Sequence, residues 1–176
     1  DDSDGLFVVA EVHRGNLFGT GRELNVAAEL SKVDQTYDIE YRNPYVTAEG
    51  VSRALFIKRE KIDTDSVTTA DFTSETTGGG IRYSIPMSEY NALSLSAAIE
   101  DISLASTSST PPEYQSFIDR HPNNLNLNLS TGFSKDTRDS IFFPRRGFFR
   151  KISAEIGIPG SDLEFYKISV RGSWYR

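Results

Sequence analysis

The chain has 176 residues, a net charge of −6 and no cysteine, with 38% hydrophobic and 25% charged side chains. That size is one domain or a piece of a larger one; the cysteine count excludes a disulfide framework and a thiolate metal site or nucleophile, and the acidic balance without a concentrated basic face speaks against nucleic acid as a partner. No apolar run nears the roughly 18–20 residues of a membrane helix, which leaves a membrane β-barrel open because its lipid face uses only every second residue.

Residues 1–5 are acidic and polar, unlike a signal peptide; in an exported protein they would belong to a processed form or an internal fragment. The first strand is read over 6–14, with Leu6, Val8, Ala10 and Val12 on one face and Phe7, Val9, Glu11 and His13 on the other. A period of two puts successive side chains on opposite faces of a sheet. A Gly-rich turn at 15–21 follows, in which Gly19 and Gly21 supply positive φ. Leu24, Val26, Ala28 and Leu30 then alternate with Asn25, Ala27, Glu29 and Ser31; Tyr37, Ile39 and Tyr41 alternate with Asp38, Glu40 and Arg42. Asn43 and Pro44 end that strand, since proline has no ladder donor.

Residues 51–61 form a further strand whose two faces are both mixed, so its inward side is not assigned. Residues 62–77 read as a polar loop, and Gly78, Gly79 and Gly80 as the opening of the strand carrying Ile81, Tyr83 and Ile85. After a turn at Pro86 comes a strand with Leu93, Leu95, Ala97 and Ile99. The longest loop is 103–123; within it 111–120 predicts a short helix, with proline in the first turn and Tyr114, Phe117 and Ile118 on one face. Leu125, Leu127 and Leu129 alternate with Asn126, Asn128 and Ser130, and Ile152, Ile156 and Ile158 with Lys151, Ser153 and Glu155. A turn over 138–147 separates these two strands. Pro159, Gly160, Ser161 and Asp162 break the pattern before a last strand at 165–175.

The fold class that follows is all-β: about nine antiparallel strands in up-and-down order, with one long loop holding a short helix. Antiparallel neighbours place the turns at 16–21, 43–50, 86–91 and 138–147 at one end. The loops near 34, at 62–77, 103–123 and 159–162 fall at the other. Short turns on one side and longer loops on the other match a transmembrane β-barrel. A soluble sandwich or barrel also alternates. Two features favour the membrane. The polar faces carry too many long charged groups to bury dry, among them Glu29, Asp38, Glu40, Arg82, Glu155 and Lys167. Aromatic residues also gather near strand ends and turns: Phe18, Tyr37, Tyr45, Tyr83, Tyr90, Phe142, Phe143, Phe148, Phe149, Trp174 and Tyr175.

Candidate catalytic and metal sites come to little. His13 and His121 lie far apart, and no Ser/His/Asp grouping or glycosidase carboxylate pair stands out. Asp63-Thr64-Asp65 lacks the EF-hand spacing. The 16–21 segment has neither the third glycine of a dinucleotide loop nor the lysine of a P-loop. Arg145-Arg146 suits a phosphate or a lipid headgroup, although two cations at a turn are more often simply solvated. No cofactor, metal or enzymatic activity is expected.

Five motifs in order carry a resemblance. They are Asn16-Leu17-Phe18-Gly19-Thr20-Gly21; Tyr41-Arg42-Asn43-Pro44-Tyr45 with Gly50-Val51-Ser52; Ile85-Pro86-Met87-Ser88-Glu89-Tyr90-Asn91; Asp136-Thr137-Arg138-Asp139 with Phe143-Pro144-Arg145-Arg146-Gly147; and Ile158-Pro159-Gly160-Ser161-Asp162. Together they resemble the BamA family of the Gram-negative outer-membrane β-barrel assembly machinery. The resemblance implies a multi-pass outer-membrane segment, from the second to about the tenth strand of a larger barrel. The family's periplasmic POTRA domains would be absent from it. It further implies periplasmic turns at Gly19, Thr20, Gly21, Asn43, Pro44, Tyr45, Pro86, Asp139, Pro144 and Gly147, and a surface turn at 159–162. Leu125, Leu127, Leu129, Ile152, Ile156 and Ile158 would face lipid. The implied partners are outer-membrane lipid and, through the parent protein, nascent outer-membrane proteins and BAM lipoproteins; in this family the nascent strands are accepted at a lateral seam of unpaired edges between the barrel's first and last strands. Two rival readings stand beside it: a self-contained small barrel acting as a pore or adhesin, which requires the first and last strands to pair, and a soluble β domain with a closed apolar pocket.

Overall fold

The structure is a computed structural model that describes residues 6–63, 72–107 and 110–176. Its elements are β1 (Val8–Leu17), β2 (Arg22–Leu30), β3 (Asp34–Asn43), β4 (Ser52–Asp63), β5 (Phe72–Pro86), β6 (Asn91–Ser106), α1 (Pro112–Arg120), β7 (Asn123–Asp136), β8 (Gly147–Gly157) and β9 (Tyr166–Tyr175). The strands form one nine-stranded sheet in sequence order, each antiparallel to the next. The expected all-β, up-and-down architecture and the short helix in the longest loop are therefore present.

Strand lengths differ from expectation in three places. β1 runs to Leu17, past a bulge between Arg14 and Leu17, so the turn after it is tighter than the sequence suggested. The predicted polar loop at 62–77 is mostly strand: β4 continues to Asp63 and β5 begins at Phe72. The Thr73, Thr76 and Thr77 side chains are β-branched and suit a pleated surface. Residues 1–5 and 64–71, with most of the Asp63-Thr64-Asp65 segment, lie outside the described residues. Likewise β6 reaches Ser106, into the segment expected to be loop.

The glycine triplet does not open β5 but sits at its centre, paired with both neighbours. It is there because side chains of the adjacent strands lie across it. A Cβ on Gly80 would meet the Phe56 ring at 2.8 Å and collide with the Ala97 carbonyl, and one on Gly78 would sit 2.8 Å from Glu100 Cγ. Glycine in a strand interior often marks such a close approach.

Register aligns one apolar row across eight strands. Leu24 pairs with Tyr41, Tyr41 with Leu55, and Leu55 with Ile81. The row continues through Ala97, Leu129, Ile156 and Tyr166. A parallel row runs from Val12 through Val26, Ile39, Ile57, Gly79 and Ile99 to Leu127. This settles the mixed β4 strand: Leu55 and Ile57 belong to the outward face, Ala54 and Phe56 to the inward one.

No conventional core accompanies these rows. Among the described residues only Ala54 and Ile118 are buried apolar side chains, while Leu127, Ile152 and Ile156 are about half exposed. The accessible surface is 12442 Å², whereas a soluble monomer of this mass exposes about 8,600 Å². Nor does the sheet close: among the described residues β1 and β9 are its two edges. A small self-contained barrel needs those strands paired, and among the described residues they are not; a soluble ligand-binding domain needs a closed apolar pocket, whereas the apolar hollow lined by Ile81, Leu95, Leu129 and Ile156 is open.

The central glycines generate a test. Gly80→Val should lower stability in detergent micelles by about 1–3 kcal/mol, read from urea unfolding followed by tryptophan fluorescence. An unchanged midpoint would mean that the inner face can absorb a side chain there.

Candidate functional site: a two-faced wall with pinned rims

The functional feature is the sheet itself, because its two faces have opposite chemistry. The outward face carries the aliphatic rows just described. The expected lipid-facing residues Leu125, Leu127, Leu129, Ile152 and Ile156 share it, and all five are exposed. Ile158 follows the end of β8 and donates its N–H to the Leu127 carbonyl at 2.9 Å. Between taller Leu and Ile side chains, Ala97, Thr131 and Ala154 leave a shallow apolar furrow of about 440 Å³.

The inward face is a polar lattice. Arg82 bridges to Glu40 at 2.9 Å across the intervening β4, with its guanidinium 4.9 Å from the centre of the Phe56 ring. The crossing passes over β4 between Ala54, the partner of Arg82, and Phe56, the partner of Glu40, whose ring supports the guanidinium. Lys58 pairs with Glu60 at 2.7 Å, and Asn128 donates to Glu100 at 2.7 Å. The two ion pairs are partly exposed, so each contributes little on its own. Their collective effect is to define a wet side.

Two of the expected girdle aromatics do not belong to the outward face. Register places Phe149 and Tyr175 on the inward side, where the Arg138 guanidinium lies 5.1 Å from the centre of the Phe149 ring. The expectation counted position along the strand without counting parity. Phe148 and Trp174, which pair with each other, do point outward.

One end of the wall carries the turn motifs, and these are pinned by side chain to backbone hydrogen bonds. In the first turn, Gly19 and Gly21 have φ of +74° and +70°. Gly21 donates its N–H to Asn16 Oδ1 at 2.7 Å, and the Thr20 hydroxyl donates to the Leu17 carbonyl at 2.6 Å. Asn43 accepts from the Tyr45 N–H at 3.2 Å, closing an Asx-turn around Pro44. Pro86 is the last residue of β5, and Met87 N–H donates to the Asn91 carbonyl at 2.9 Å just beyond it.

The 137–146 turn is the most elaborate. Arg138 grips Asp136 with two bonds, 2.8 and 2.6 Å long. Asp139 Oδ1 accepts the N–H groups of Arg145 at 2.8 Å and Arg146 at 3.1 Å, so the carboxylate staples one side of the turn to the other across Pro144. Gly147 has φ of +103°, and a Cβ there would strike the Thr137 carbonyl. Ile141, Phe142 and Phe143 stand exposed at the tip. The N–H of Arg145, and then that of Arg146, hold the Asp139 carboxyl below the ordinary carboxylate range.

The opposite end is organised around β7, which outruns β8. Its backbone edge there is met by the loop at 158–165. Asp162 Oδ2 accepts the Leu125 N–H at 2.6 Å, Ser161 Oγ accepts the Leu127 N–H at 2.9 Å, and the Asp162 N–H returns to the Leu125 carbonyl at 3.1 Å. The same loop turns inward: Leu163 N–H donates to Asn126 Oδ1 at 3.1 Å. Asn124, Asn126 and Asn128 are 1%, 0% and 5% exposed, so the residues expected to line open water are the best covered polar groups described. Helix α1 stands over the same end, on β6, with Ile118 buried beneath it. Thus the structure brings 159–162 to β7 as a surrogate strand, a role the alternation could not reveal.

A sheet apolar outside, ionic inside and unclosed at both edges defines a section of outer-membrane β-barrel wall. Residues 16–176 match the Omp85 superfamily domain, and the chain belongs to that superfamily. It is 29% identical over 182 residues to the outer membrane protein assembly factor BamA of Neisseria meningitidis serogroup B, covering 97% of this chain and 23% of that protein. It is 26% identical over 156 residues to the BamA of Nitratidesulfovibrio vulgaris, covering 86% and 19% respectively. The crystal structure of BamA from Haemophilus ducreyi lacking POTRA domains 1–3 superposes with a TM-score of 0.85 at 21% identity, over 97% of this chain and 34% of that one. The chain thus spans less than a quarter of the length of the curated relatives it matches.

The Asp139 staple generates a pH prediction. Its folded-state pKa lies below the unfolded value, so its contribution is complete above the unfolded pKa and is lost as pH falls through the folded one. At neutral pH, Asp139→Ala should speed amide hydrogen exchange at Arg145 and Arg146 several-fold. Titrated below the carboxylate range, parent and variant should converge. Equal exchange at neutral pH would show that the turn holds without the staple.

Proposed function

We propose that this wall contributes consecutive strands, from the second to about the tenth, to the barrel of an outer-membrane protein assembly factor. The parent protein would fold and insert nascent β-barrel proteins into the bacterial outer membrane. The observation that carries the reading is the segregation of faces over nine consecutive strands, with the turn motifs arriving in family order.

On this reading the outward rows meet hydrocarbon and the ionic lattice lines the lumen. The turns holding Gly19, Thr20, Gly21, Asn43, Pro44, Tyr45, Pro86, Asp139, Pro144 and Gly147 lie in the periplasm, and the 159–162 turn lies outside the cell. Nascent outer-membrane proteins would be the substrates, in line with the relatives' name of outer membrane protein assembly factor, and lipoproteins would be the accessory partners. The work needs no cofactor and no covalent step. It consists of offering strand edges to an incoming chain in a locally disturbed bilayer. The edges of β1 and β9 would be continued by further strands of the parent barrel rather than serve as that seam.

The cysteine-free sequence suits a direct test. Single cysteines at Leu127, Leu129 and Ile156 of the full polypeptide in vesicles should react only with a lipid-soluble maleimide. Cysteines at Ser130 and Glu155 should react with a water-soluble one. In a second assay, vesicles holding the full polypeptide should speed the folding of an urea-unfolded outer-membrane barrel. Leu129→Arg, which costs about 2–4 kcal/mol at the bilayer midplane, should remove that acceleration. Inverted labelling would sink the face assignment, and vesicles no faster than protein-free ones would sink the assembly role.

A further inference from the structure

The charges on the outward face are distributed unevenly between its two ends. At the loop end, Arg59 and Lys61 are accompanied on the same face by Glu75 and Asp101, and Arg59 bonds Glu75 at 2.7 Å. At the turn end, register places Arg14, Arg22, Arg53, Lys135 and Arg150 on this face and no carboxylate from any described strand. Within that belt, Lys135 of β7 and Arg150 of β8 are direct cross-strand partners. Like charges placed directly opposite destabilise a sheet. Among the described residues, neither has an ion-pair partner. Instead both lean on one ring: Lys135 Nζ lies 5.8 Å and the Arg150 guanidinium 4.8 Å from the centre of Phe148.

An open groove of about 520 Å³ lies beside this pair, and its lining includes Phe133, Phe148, Val170 and Gly172 along with the two cations. Gly172 is the cross-strand partner of Arg150 and leaves that side open; a Cβ there would meet nothing nearer than the Phe149 carbonyl at 3.8 Å. The groove therefore joins an apolar floor to two cations lacking an anion. Next to it Trp174 pairs with Phe148, the kind of aromatic that sits at headgroup depth.

We propose that this groove is a binding site for one anionic phospholipid, with the phosphate between Lys135 and Arg150 and an acyl chain along Phe133 and Val170. The phosphate would relieve the repulsion that register imposes on the cations. The site rests on the reading that the outward face meets lipid, and it adds to that reading a preferred headgroup and a position. An anionic lipid is favoured over a soluble anion because the floor beside the charges is apolar. Long cationic side chains can also keep their heads at the interface while their stems remain in hydrocarbon.

The experiment uses the full polypeptide in nanodiscs of equal parts phosphatidylcholine and phosphatidylglycerol. Lipids retained after mild detergent extraction are counted by native mass spectrometry, and folding is checked by heat-modifiable electrophoretic mobility. The parent should retain phosphatidylglycerol preferentially, by about fivefold for each cation. The K135Q/R150Q pair should lose that preference. Gly172→Leu should lose it too, although every charge is kept, because it fills the groove. The K58Q/K167Q pair removes the same charge from the inward face and should keep it. Equal retention of both lipids by the parent would overturn the site while leaving the wall intact. So would preference surviving K135Q/R150Q, preference lost equally in K58Q/K167Q, or displacement of the lipid by inorganic phosphate at matched concentration. Retention of neither lipid would overturn the wall reading and the site together.

Discussion

Hydrocarbon offers no hydrogen-bond partner to a peptide group, so a chain crossing it in strands must find its partners in neighbouring strands. Each strand here meets that demand by pairing with the next in sequence. With the ladder fixed, side chains have only parity left to decide. Every outward residue is followed by an inward one, and register carries the choice from strand to strand. A shift of one residue anywhere would turn a whole strand inside out. That sensitivity explains why the two ends hold so many side chain to backbone bonds: they stop register from drifting where the ladder runs out.

The two ends achieve this differently. At the turn end, short connections are fixed by their own residues: Asn16 and Thr20 in the first turn, Asn43 in the second, and Asp136, Arg138 and Asp139 in the last. At the other end the strands are unequal in length, and the exposed edge of β7 needs a partner it does not receive from β8. Ser161 and Asp162 provide one, with side-chain oxygens standing in for strand carbonyls. The same loop covers Asn126 from the inward side. A buried asparagine column is costly where it is left bare; here Asn124 donates to the His121 carbonyl after α1, Asn126 accepts from Leu163 of the loop and Asn128 donates to Glu100, while Asn124 Oδ1, Asn126 Nδ2 and Asn128 Oδ1 stay buried without a partner among the described residues.

Much of this was legible in the sequence because alternation is a physical signature of a sheet with two unlike sides. Leu125, Leu127 and Leu129 against Asn126 and Asn128 announced both faces at once. The turn glycines were legible for a similar reason, since Gly19 and Gly21 do adopt positive φ. What was hidden depended on neighbours that lie far away in sequence. Gly78, Gly79 and Gly80 read as the opening of a strand rather than its centre because nothing local says that Phe56 and Glu100 lie across them. Leu55 and Ile57 could not be oriented until Tyr41 and Ile81 were seen beside them. Phe149 counted as girdle by its place near a strand end, yet parity turns it inward, onto Arg138. Ser161 and Asp162 read as a turn because their acceptors are used by a strand more than thirty residues earlier.

Charge follows the same division between local and distant information. The composition is acidic overall, which taken alone predicts repulsion from anionic membranes. Register reverses that conclusion for one band of the surface. The carboxylates Glu11, Glu23, Glu29, Asp38 and Glu40 fall on inward positions of β1, β2 and β3, whereas the outward positions nearest the turns hold Arg14, Arg22, Arg53, Lys135 and Arg150. Net charge is a property of the chain, but a membrane meets only the parity turned toward it. Along the strands the outward side passes from mixed charges at the loop end, through aliphatic rows, to cations and aromatics at the turn end. On the proposed reading, in which this face meets lipid, such a gradient would distinguish the two leaflets and set the depth of the wall through the same alternation that fixes its fold.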